Sequence, residues 1–111
     1  LSFQRDVLNV YAANDLDVLL APDVQVVPPK AEAIESGELD TLTFPTNTVL
    51  ASQSGLCAVS VPTGLTDDGL PVGVELIGKP YDEATLLSLA HAFEQKAKPR
   101  HPPETTPELE G

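Results

Sequence analysis

Val59-Ser60-Val61-Pro62-Thr63-Gly64-Leu65-Thr66-Asp67-Asp68-Gly69-Leu70-Pro71-Val72-Gly73-Val74-Glu75-Leu76-Ile77-Gly78-Lys79-Pro80-Tyr81-Asp82-Glu83-Ala84-Thr85-Leu86-Leu87-Ser88-Leu89-Ala90-His91-Ala92-Phe93 decides the fold. Val72, Val74 and Leu76 alternate with Gly73, Glu75 and Ile77, the period of a strand. A short apolar run from Cys57 to Val61 precedes them and reads as a buried strand stopped by Pro62. Between the two, Asp67-Asp68-Gly69 supplies turn chemistry, its glycine accepting a positive φ, so the pair is expected to form a hairpin. Lys79-Pro80 ends the second strand. Asp82 then stands where a carboxylate can accept from the free amides of a following helix. Leu86, Leu89, Ala90 and Phe93 fall at i, i+3, i+4 and i+7, a stripe expected to face the sheet, and Pro99 ends the helix with Lys96 and Lys98 at its negative pole.

Working outward, Phe3, Val7, Leu8, Val10 and Tyr11 recur at helical steps, which predicts a helix from Leu1 to about Asn14. Asp17-Val18-Leu19-Leu20-Ala21-Pro22 reads as a buried strand ended by proline. Residues 23–43, with Pro28-Pro29, Ser36-Gly37 and five acids, read as a surface loop. Pro45 to Ser54 is expected to be a short helix, and Gly55 to turn the chain sharply. The organisation expected is a domain segment over 1–98, with the loop at 23–43 as its variable part, and a Pro/Glu-rich disordered tail over 99–111. The expected fold class is α/β.

Composition narrows the function classes. Seventeen acidic residues against six basic give a formal charge of −11, spread along the chain, which disfavours nucleic acid and anionic membrane surfaces as partners. A single cysteine, Cys57, excludes an internal disulfide and points to a reducing, cytoplasmic compartment. No apolar run is long enough for a membrane span, and no signal peptide is seen. The chain opens at Leu1 within a helix and holds no Met, so it is expected to be a piece of a longer product.

Little in the residues carries chemistry by itself. His91 and His101 have no spaced partners, so neither a metal nor a cofactor is expected. Cys57 lacks a basic neighbour in sequence and reads as a buried structural thiol. Asp67 and Asp68 are accounted for by their turn. Gly64, Gly69 and Gly73 punctuate turns and strands and form no phosphate loop. The hydroxyl- and amide-rich set Thr46, Thr48, Ser52 and Gln53 is the one cluster suited to lining a substrate pocket; capping and surface hydrogen bonding is the alternative role for it.

Ser54-Gly55-Leu56-Cys57-Ala58-Val59-Ser60-Val61-Pro62-Thr63-Gly64 resembles the carboxy-terminal part of the amidase signature family. The similarity continues through Gly69-Leu70-Pro71-Val72-Gly73, through Leu76 to Leu87 and through Ala90 to Gln95, while Asp17 to Pro22 resembles an earlier strand of the family. The resemblance implies the carboxy-terminal part of a mixed-sheet α/β/α fold. It also implies hydrolysis of carboxamide C–N bonds by serine acyl transfer: a lysine and a bridging serine activate the nucleophile, backbone amides hold the oxyanion, and water releases the acid. The family's Gly-Gly-Ser-Ser-Gly run is absent from this sequence, and Ser52, Ser54 and Ser60 do not replace it, so no catalytic residue is assigned here. The implied partners are the remainder of an amidase polypeptide and a small amide substrate, with self-association as a further expectation. The alternatives are a noncatalytic small subunit or truncated relative, and a fragment of the A subunit of a transfer-RNA amidotransferase. In that branch an acidic residue helps hold glutamine, and Pro45 falls near its place, which favours a general amidase. Cys57 stands where the family usually has proline, and Ser52 where many members have Asn.

Overall fold

The computed structural model describes residues 2–40 and 47–106. Helix α1 (Ser2–Asn14) leads through Asp15, at φ 53°, into strand β1 (Val18–Pro22). A short helix α2 (Ala31–Glu35) and a second one, α3 (Val49–Ser54), precede strands β2 (Cys57–Leu65) and β3 (Pro71–Gly78) and the closing helix α4 (Glu83–Ala97). No helix is long and apolar enough among the described residues to cross a membrane. Gly55 caps α3 at φ 67°, a left-handed conformation that costs a residue with a Cβ about 1–2 kcal/mol.

The three strands form one antiparallel sheet in the order β1-β3-β2. The expected hairpin is present, with Thr66 and Gly69 joined by a 2.9 Å bond across the turn. β3 is the central strand, and its burial rises toward Gly78, where Val18 and Cys57 flank it. Val74, Leu76 and position 78 lie on one face with Val59 and Val61, and Leu86 of α4 packs against Gly78 on that side. Ile77 points the opposite way and is 0% exposed. Val7 and Tyr11 of α1, Ala51 and Ser54 of α3 and Pro99 beyond α4 are the other buried residues among those described, and the core they complete is small.

Several expectations change. Pro62 does not stop β2; the strand runs on to Leu65, slipping register between Pro62 and Gly64 so that Thr63 is the extra residue. Both β2 and β1 are edge strands, where a missing N–H can face away from the ladder, and for the same reason Pro22 pairs with Val74 as the last residue of β1. Neither strand is fully buried: β2 alternates, and Leu20 of β1 is 65% exposed. The loop at 23–43 contains α2. In the α4 stripe Leu86 is 2% exposed, but Leu89 and Phe93 remain 39% and 37% exposed. The sheet has only three strands, too few to cover the whole stripe. Asp82 is the N-cap residue, yet its carboxylate accepts from the Thr85 hydroxyl at 2.7 Å instead of from a helix amide.

Candidate functional site

The N-terminus of β2 and the C-terminus of β3 meet at one end of the sheet, and both the α3–β2 and β3–α4 connections lie there. Of the polar set read from the sequence, Thr46 lies outside the described residues. Thr48 occupies the N-cap position of α3, and Ser52 and Gln53 follow on the helix, all three exposed. Thr48 and Ser52, four residues apart, share a helix face. The Ser52 hydroxyl donates to the Val49 carbonyl at 3.1 Å, leaving its oxygen lone pairs free to accept.

Beside this helix a cleft of about 430 Å³ is lined by Gln4, Gly55, Leu56, Cys57, Pro80, Tyr81 and Glu83. Cys57, half-buried where a buried thiol was expected, donates its S–H to the Lys79 carbonyl at 2.9 Å. The packing explains its partial exposure: Cys57 opens an edge strand, so no strand lies on its side away from β3. Tyr81 has φ 63°, a backbone conformation that costs free energy, and is 95% exposed, its ring standing in solvent at the cleft. The sequence reading assigned no role to Gln4, Tyr81 or Glu83. The Lys79-Pro80-Tyr81-Asp82 stretch marked a turn, and nothing in it signalled that Gln4, more than 50 residues earlier, would lie alongside.

Ser54 donates to the Leu50 carbonyl and Ser60 to the Asp23 carboxylate. His91 and His101 are exposed, on α4 and beyond it. Among the described residues no group of three or more His, Cys, Asp or Glu side chains can hold a metal ion.

Residues 2–87 match the family model described as Amidase. The A subunit of glutamyl-tRNA(Gln) amidotransferase from Parvibaculum lavamentivorans is 43% identical over 96 residues, which cover 84% of this chain and 19% of that protein. The native peptide amidase from Stenotrophomonas maltophilia superposes with a TM-score of 0.66 at 33% identity, over 85% of this chain and 17% of that one. The A subunit of glutamyl-tRNA(Gln) amidotransferase from Thermotoga maritima superposes with a TM-score of 0.72 at 30% identity, over 85% of this chain and 20% of that one. The chain thus spans about a fifth of the length of the curated relatives it matches.

Proposed function

Because this chain belongs to the Amidase family, we propose that it is the carboxy-terminal segment of an enzyme that cleaves carboxamide C–N bonds by serine acyl transfer, releasing an acid and ammonia or an amine. The observation that carries this reading is the family match over residues 2–87, which takes in every strand and the start of α4. The segment's share is structural and positional. It completes the sheet and presents the exposed face of α3, with Thr48, Ser52 and Gln53, as one wall of the substrate pocket, while the nucleophile, its bridging serine and the lysine come from the rest of the polypeptide. The reading includes a cytoplasmic location, in keeping with the lone cysteine.

In the intact protein, Thr48→Ala and Gln53→Ala are each expected to lower kcat/KM on amides by about fivefold to tenfold, the cost of one lost hydrogen bond. Unchanged kcat/KM across several amides removes the pocket wall from the reading.

A second reading is favoured by the 40–45% identical curated relatives, which are glutamyl-tRNA(Gln) amidotransferase A subunits. In an amidotransferase the amide nitrogen is passed on to an acceptor. Hydrolysis of simple amides by the intact protein without partner subunits selects the general amidase. Activity confined to a complex selects the amidotransferase. No amide cleavage in either setting selects a noncatalytic partner.

A further inference from the structure

On the sheet face turned away from Leu86, β3 carries Gly73, Glu75 and Ile77. Asp23, the first residue beyond β1, folds over this face. Its N–H donates to the Gly73 carbonyl at 3.2 Å, and its Oδ2 accepts the Ser60 hydroxyl at 2.6 Å. Ser60 is the register partner of Glu75. The carboxylate lies so close to the strand that a Cβ on Gly73 would clash with Oδ2, so glycine leaves it room. Next along the strand, Glu75 has its Oε2 buried with no hydrogen-bond partner.

Ionisation there would leave Oε2 cut off from water and from donors, beside a second negative charge. The other groups facing it are Ala21 from β1, Ala58 and Ser60 from β2, and Gly73 and Ile77 from β3 itself. Asp23 is the one charged group among these described residues. Burial first, and the charge of Asp23 second, hold the Glu75 carboxyl above the usual glutamate range.

We propose that Glu75, while it holds its proton, and Asp23 form a one-proton pair that fastens residues 23–28 to the sheet, a latch that loosens when the proton is lost. The neutral Glu75 carboxyl can donate where a carboxylate can only accept, and Asp23 keeps its bond from Ser60. When base removes the proton to solvent, two carboxylates face each other, and the bond from the Asp23 N–H to Gly73 is the one that yields. Residues 22–28 and Pro71 to Gly73 bound a cleft of about 310 Å³, so release of the latch changes access to it.

A carboxyl raised in the folded state contributes stability that is fully present below its unfolded value and is lost as pH rises through the folded one. The test is a ¹³C carboxyl titration of Glu75 in the intact protein, together with hydrogen exchange at the Asp23 amide corrected for intrinsic rate. The expected result is a Glu75 titration above about 4.3, with protection of the Asp23 amide falling at least about tenfold across it. Glu75→Gln keeps the shape without the titration and is expected to make protection independent of pH. Asp23→Asn is expected to move the Glu75 titration down. Gly73→Ala, which forces the Asp23 carboxylate aside, does the same and serves should Glu75→Gln not fold. A Glu75 titration at or below the ordinary value overturns the latch, including one caused by a cation reaching Glu75 from elsewhere in the protein. So does protection that is flat with pH in the wild type, or that still falls in Glu75→Gln.

Discussion

Tyr11 donates its hydroxyl to the Ile77 carbonyl, 66 positions along the chain, and so ties α1 to the most buried residue of the central strand. Tyr11→Phe leaves that buried carbonyl short of a donor and is expected to cost about 1–3 kcal/mol in urea unfolding of the intact protein. Burial raises the phenol above its ordinary value, opposed by the Leu19 backbone and helped by Cys57. The stability this group contributes is therefore present below the unfolded value of about 10 and lost as pH climbs through the folded one, and Tyr11→Phe is expected to remove that alkaline loss. Gly78 is the opposite case, a residue needed for what it lacks. A Cβ there would meet Cys57 Sγ and Leu86 Cγ, each at 3.1 Å, so both neighbours must give way. Gly78→Ala is expected to lower stability by about 1–3 kcal/mol, read from a thermal melt.

Helix α4 holds to the sheet through few residues. Leu86 is its one fully buried side chain, and Leu86→Ala is expected to cost about 2–5 kcal/mol by urea unfolding. At its start, Asp82 and Thr85 bond side chain to side chain, which fixes the first turn from outside the backbone ladder. At its end, Lys98 takes φ 45° and donates its N–H to the Glu94 carbonyl at 2.8 Å, closing the helix before Pro99. Asp82→Ala removes both the Thr85 acceptor and a negative charge near the positive helix pole. It is expected to cost about 0.5–2 kcal/mol, with Asp82→Asn recovering most of the loss.

Seen whole, the chain buries little against itself. Its sheet has open edges at β1 and β2, and Leu20, Leu65, Leu87, Leu89 and Phe93 all stand exposed. Open edges and apolar patches are surfaces for association. The 111-residue chain by itself is therefore expected to self-associate, with a sedimentation coefficient that rises with concentration. A monomer that melts in one sharp cooperative transition contradicts this. The net charge of −11 opposes association at low ionic strength, so added salt is expected to promote it by screening the repulsion.

The amino-acid sequence by itself determined the local structure and the family. The alternation from Val72 to Ile77, the glycine after Asp67-Asp68 and the stripe from Leu86 to Phe93 each act over a few residues, where backbone sterics and period suffice. Thr48, Ser52 and Gln53 were legible as a polar cluster because they are neighbours in the chain. Edge position was not legible, because whether Pro62 breaks a strand depends on which side of it another strand lies. The same holds for the cleft that joins Gln4 to Tyr81 and for the approach of Asp23 to Ser60 and Glu75, which are 37 and 52 residues away. Only tertiary structure decided these, because burial, register and the charge environment of a carboxyl are properties of the groups that folding brings together.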